Sequence, residues 1–177
     1  MICLWLLLWQ AAAGLSQNSI MLVGPLEVLQ ALGTLFGSRD FWHSLAGSFC
    51  RISAGFLLAF AAGVLLGGLA YCIPLLKEFL EPFMLFLKSV PVASFVILAL
   101  IWAGSRNLSV VISCLVVLPV IYVNTLSGLN STDPKLLEMA AVFQMPRWKK
   151  LRFIYLPAVL PYLLSGCRIA LGMGWKS

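Results

Sequence analysis

Polarity along this chain comes in blocks: long runs without a charged residue alternate with short clusters where charge gathers. Ile52 to Leu76 is charge-free for twenty-five residues. As a helix rising 1.5 Å per residue that is about 37 Å, more than the roughly 30 Å hydrocarbon core of a bilayer. Ser89 to Ser105 is charge-free for seventeen residues. After a tight turn at Gly104-Ser105-Arg106-Asn107, an apolar run continues from Leu108 to about Leu126 with Pro119 inside it, and another covers Phe153 to Trp175. The opening MICLWLLLWQAAAGL is apolar from its first residue. Ala11-Ala12-Ala13 has the look of a signal-peptide cleavage site, but no basic segment precedes the apolar run, so a membrane helix is the better reading. The pattern predicts an all-α integral membrane protein with one transmembrane domain over 1–177 and spans at about 1–15, 50–76, 87–105, 108–128 and 153–175. A connector at 16–48 with an interfacial helix near Leu26–Leu35, a short charged turn and helix entry from Lys77 to Lys88, and a polar loop at about 133–152 join them.

Composition strengthens this reading. Hydrophobic residues make up 62% of 177 positions and charged residues 10%, against roughly 25% charged in a soluble domain. The bilayer must be the solvent. A net charge of +6 does not point to nucleic acid, because the basic residues flank apolar runs, where they set orientation. Cys3, Cys50, Cys72, Cys114 and Cys167 lack metal-ligand spacing and are expected to be buried thiols. His43 has no companion ligands nearby. The tail Gly172-Met-Gly-Trp-Lys-Ser lacks the glycine before lysine that a phosphate loop needs. Asn107-Leu-Ser and Asn130-Ser-Thr match a glycosylation sequon by chance.

Three features within the spans stand out. Gly55, Ala59, Gly63 and Gly67 recur every four residues, a stripe that allows close helix approach either within the subunit or between two copies. Ser89 and Pro91 open a span, and proline there frees a carbonyl, giving a simple kink or a water-lined pathway. Arg168 lies beside Gly166, Ala170 and Gly174; an intramembrane arginine either serves function or snorkels and pairs within the bundle.

Charge is most concentrated between Asp133 and Pro161. Asp133 can cap a helix that starts with Pro134. Leu137 and Ala141 lie one turn apart with Glu138 beside them, and Ala140 with Ala141 would let a partner approach the backbone. Pro146 interrupts the helix, and Arg147, Lys149, Lys150 and Arg152 follow.

These residues resemble a known family. Glu138-Met-Ala-Ala, followed eighteen residues later by Leu156-Pro157, looks like the cytoplasmic coupling loop of ABC-importer permeases. Arg147-Trp148, Leu160-Pro161 and Arg168-Ile-Ala-Leu-Gly172 are similar to the branch importing nitrate, sulfonates and taurine, as are Gly24-Pro25-Leu26-Glu27-Val28-Leu29 and Ser89-Val-Pro91. The resemblance covers about residues 24 to 177. It implies a type I importer-like helical bundle whose final span is missing from this chain, and alternating access at the axis of a permease homodimer. It also implies a cytoplasmic ATP-binding subunit carrying the ATP and Mg, an extracytoplasmic solute-binding protein, and no cofactor on this chain. Glu138, Ala140, Ala141, Gln144 and Arg147 are the implied coupling residues; Ser89, Pro91, Gly63, Gly67 and Arg168 are path or packing positions. Gln144 departs from the family, which has glycine six residues after the glutamate, so the turn there is expected to be built differently.

Two other classes are weaker. An integral-membrane enzyme needs facing polar groups at membrane depth, and only Arg168, Asn124 and scattered Ser and Tyr are present. An ion-gradient transporter favours acidic residues or histidine within spans, yet every Asp and Glu lies in a loop or at a span boundary.

Orientation follows from charge. Lys77, Lys88, Lys135, Arg147, Lys149, Lys150 and Arg152 lie on the side of the 133–152 loop, against Arg39, Arg51, Arg106 and Lys176 on the other. The basic excess places the loop in the cytoplasm, and the resemblance implies that the membrane is a bacterial plasma membrane. A cysteine placed at Lys149 is expected to label from the cytoplasm and one at Arg39 from the opposite face. Labelling of both from one face would contradict the odd number of crossings between them.

Overall fold

The computed structural model of the chain describes residues 1–15 and 23–176; the first part of the expected 16–48 connector, residues 16–22, lies outside them. The described residues are helical apart from short connections, with no strand among them. They fall into two units, Met1–Gly47 and Ser48–Ser177.

The first unit holds α1 (Ile2–Leu15), α2 (Pro25–Phe36) and the opening turns of α3 (Arg39–Cys72). Helix α2 begins at an extended Gly24 with Pro25 at its first position, where the missing N–H costs nothing. It matches the interfacial helix expected near Leu26–Leu35. The Gln10 side-chain oxygen accepts from the Leu26 N–H at 3.4 Å, tying α1 to α2. Trp42 Nε1 donates to the Phe36 carbonyl at 3.0 Å, and Phe36, Phe41 and Trp42 stack with centroids 5.7 Å apart. At fourteen residues, α1 is about 21 Å long, shorter than a hydrocarbon core.

The second unit contains the rest of α3, then α4 (Pro74–Ser89), α5 (Val92–Ser105), α6 (Asn107–Asn130), α7 (Pro134–Val142) and α8 (Arg147–Lys176). Three helices are individually long and apolar enough to cross a membrane: α3, α6 and α8. Helix α3 stops at Cys72, so the apolar run to Leu76 is divided, because Ile73 is extended and Pro74 starts a new helix. The expected straight span at 87–105 is not straight. Val90 and Pro91 are extended, and α4 meets α5 at 102°. Proline forces this geometry on the residue before it. The segment from Lys77 to Lys88, expected as a short charged turn and helix entry, is helix over its whole length, within α4. The turn at Gly104 is a left-handed residue, φ 68°, where glycine alone escapes steric cost.

The α3 stripe settles against α6. A Cβ added at Gly55 would lie 2.8 Å from the Val110 carbonyl oxygen, one at Gly63 2.9 Å from Ile121 Cβ, and one at Gly67 2.8 Å from Thr125 Cβ. Both sets of numbers rise together, so α3 and α6 run parallel. On its other side α6 meets α8 in the opposite sense: Gly128 touches Val159, and Gly166 touches Asn124. Ala59, Val117, Ile121 and Ala170 form the fully buried centre of this three-helix sandwich. Parallel α3 and α6 require the chain to return between them, which is what bent α4 and α5 do: Leu80 and Met84 pack on Tyr122, while Phe95, Ala99 and Ala103 share an apolar cavity with Val111 and Leu115.

The cysteines correct one expectation. All five are free, and Cys3, Cys50 and Cys72 are exposed rather than buried, since they sit on helix faces turned away from the protein contacts.

Gly67→Leu is expected to lower the yield of folded permease about fivefold, the shift for a lost close contact of roughly 1 kcal/mol. Gly68→Leu, where a Cβ meets nothing within 4 Å, should leave it unchanged. Fluorescence-detected size exclusion reads both, and equal yields would show that the stripe does not set the fold.

Candidate functional site: the loop between α6 and α8

The loop is built around α7. Asp133 is extended and its carboxylate accepts from the Lys135 N–H at 2.9 Å, with Pro134 next. The cap satisfies one orphan N–H at the helix start. The helix ends within nine residues. The Gln144 N–H donates to the Ala141 carbonyl at 3.0 Å, and the Met145 N–H to the Ala140 carbonyl at 2.9 Å. That pair of bonds is a Schellman stop. It requires a left-handed residue after the cap, and Gln144 supplies it with φ 46°. Gln144 thus takes a backbone shape that suits glycine. The glutamine bears the strain, about 1 kcal/mol for a side chain in this region.

Burial divides the helix. Ala140 is 1% exposed and Leu137 is half-buried, whereas Glu138, Ala141, Gln144 and Arg147 are exposed. Ala140 is thus corrected as a surface for a partner: it anchors α7 inward, and only Ala141 of the pair remains accessible. The outward surface includes large apolar groups that the sequence reading did not count among the coupling residues. Val142 is 80% exposed, Phe143 76% and Trp148 69%, beside the basic Arg147 and Lys149. The signal was present as apolar residues inside the most charged stretch of the chain. Beyond Pro146 the backbone re-enters helix, with a π-turn at Leu151–Tyr155.

The other proposed positions are dispersed. Gly63 and Gly67 face α6 in the same subunit. Ser89 is exposed and donates to the Leu85 carbonyl at 2.8 Å, and Pro91 begins α5 at the bend. Arg168 is exposed, on the side of α8 away from Gly166, Ala170 and Gly174, which are buried. No ion pair forms to it among the described residues.

The geometry defines an all-helical membrane protein that holds a short amphipathic helix between two spans. Residues 59–177 match the family described as binding-protein-dependent transport system inner membrane component, and the chain belongs to that family. It is 29% identical over 170 residues to the putative aliphatic sulfonates transport permease protein SsuC of Bacillus subtilis (strain 168), covering 95% of this chain and 62% of that relative. It is also 29% identical over 179 residues to the taurine transport system permease protein TauC of Escherichia coli (strain K12), covering 97% and 65%. Identity reaches 30% over 185 residues with the bicarbonate transport system permease protein CmpB of Synechococcus elongatus, again covering 97% and 65%. The chain therefore spans a little under two thirds of the length of these relatives. The family is a transport component of the inner membrane rather than an enzyme family.

Gln144→Gly is expected to stabilise the protein by about 1 kcal/mol by relieving the left-handed strain. Thermal unfolding in detergent would show a raised midpoint. A lowered midpoint would mean that the glutamine side chain makes a contact worth more than the strain.

Proposed function

We propose that the chain acts as the permease subunit of an ATP-driven importer for a small solute of the nitrate, sulfonate, taurine or bicarbonate kind, with α7 as the element that meets the ATPase. The observation that carries this is the exposed apolar patch of Val142, Phe143 and Trp148 in a loop whose charge keeps it out of the bilayer. Exposed apolar surface outside a membrane marks a protein contact. Glu138 stands beside it, able to accept a bidentate arginine from the partner. The names of the relatives and the basic excess on the loop side support the same reading.

The partners follow from it: two copies of the permease, a cytoplasmic ATP-binding subunit that holds ATP and Mg, and an extracytoplasmic solute-binding protein. In this mechanism ATP closes the ATPase pair, the pair draws on α7, and the Schellman stop with the Ala140 anchor passes the motion to α6 and α8. In this reading the bend at Ser89–Pro91 releases a backbone carbonyl towards the solute path.

Ala141→Leu in the full-length permease tests the coupling role. Leucine favours the helix but adds bulk to its exposed face, so the variant is expected to insert normally, lose its ATPase on purification and abolish uptake. Co-purification with wild-type transport would show that α7 is not the coupling element.

A further inference from the structure

Helix α8 is longer than its apolar run. From Arg147 to Lys176 it has 30 residues, about 45 Å at 1.5 Å per residue, which matches a bilayer with its headgroups, roughly 40–45 Å. The apolar run Phe153–Trp175 takes about 34 Å of this and fills the hydrocarbon core. Lys149, Lys150 and Arg152 therefore stand about 1.5 to 6 Å beyond the hydrocarbon edge. That is within the headgroup layer, roughly 5–8 Å deep on each side.

Nothing in the described chain answers these cations. None of the three forms an ion pair among the described residues. No acidic residue stands in the first turn, and residues 139–177 contain no Asp or Glu. The free N–H groups at the helix start add further positive potential. Apolar side chains are interleaved with the charges and turned out of the bundle. Leu151 is 52% exposed, Phe153 65% and Leu156 53%, whereas Ile154 and Val159 are buried. The Arg152 guanidinium lies over the Phe153 ring, 5.9 Å from its centroid.

From this arrangement we propose that Lys149, Lys150 and Arg152 form a binding collar for anionic phospholipid headgroups of the cytoplasmic leaflet. The three side chains contact phosphate, and Phe153 and Leu156 lie against the acyl chains. A bilayer edge offers these two chemistries in the order in which α8 presents them. Unmatched basic residues just cytoplasmic of a span attract net negative lipids, while a zwitterionic headgroup brings a cation of its own and offsets less of the charge. The collar does not rest on the coupling role of α7, because lipid preference is measured without ATP or the ATPase.

The test places the full-length permease in phosphatidylcholine nanodiscs with a trace of spin-labelled phosphatidylglycerol or spin-labelled phosphatidylcholine. The motionally restricted fraction of the label reports lipid held by the protein. Phosphatidylglycerol should be preferred about fivefold at low salt, the factor expected for one cation near an anionic surface. At 1 M salt, where the Debye length is about 3 Å, the preference should largely vanish. The triple variant Lys149→Gln, Lys150→Gln, Arg152→Gln should bring the ratio below about two. The charge-keeping set Lys149→Arg, Lys150→Arg, Arg152→Lys should retain it, as should Arg39→Gln with Lys176→Gln on the opposite face. Equal retention of the two lipids by the wild type, or a preference indifferent to salt, would overturn the proposal. So would a preference that survives the triple glutamine variant or is lost equally in the opposite-face variant. A triple variant that keeps its lipid preference but releases its ATPase on purification would assign the cluster to a protein contact instead.

Discussion

Everything in the membrane-embedded unit depends on how closely α6 approaches its two neighbours. Lipid is as apolar as a leucine side chain, so helices in a bilayer gain little from simply hiding surface and must gain from packing distance. Gly55, Gly63 and Gly67 bring α3 so near that a single added carbon at any of them would lie under 3 Å from α6. Gly128 and Gly166 do the same, less severely in the second case, between α6 and α8. These contacts fix α3 parallel to α6 and α8 antiparallel to it. The remaining topology follows, since a parallel pair needs a returning segment and an antiparallel pair needs only a short loop.

That short loop is where the membrane architecture becomes a surface. Asp133 starts α7 as soon as α6 has ended, and Gln144 stops it by accepting a backbone shape that suits glycine. Ala140 is pressed inward while Val142 and Phe143 point outward. A helix of nine residues is too short to be stable alone. Its orientation comes from being clamped at both ends to helices that are themselves held by glycine contacts, which suits an element that must pass force rather than absorb it.

Much of this was legible in the sequence, and the failures have physical causes. Long apolar runs located α3, α6 and α8, because charge is costly at bilayer depth, and Arg168 is the one charge within the run of α8. The start of α7 was readable because capping is local, and the four-residue glycine stripe was readable because helical period is fixed. Whether the stripe met another copy or its own subunit was not readable, since small residues allow approach without naming the approaching surface. The bend at Val90–Pro91 hid inside an apolar run because hydropathy carries no information on backbone angles. Ala140 and Ala141 are chemically identical, and only tertiary packing turns one in and the other out. That Gln144 is a left-handed helix stop was not readable, because side-chain identity alone does not fix backbone shape.

The central claim is that the outward face of α7 is where an ATP-hydrolysing subunit binds. Photo-crosslinking in native membranes tests it most directly, with a short-range photoreactive residue placed in turn at Val142, Phe143 and Ala140. The account predicts that Val142 and Phe143 crosslink to a soluble ATP-binding protein, and that Ala140, 1% exposed, crosslinks only within its own chain. Crosslinking of Ala140 to that partner, or none from Val142 and Phe143, would contradict it.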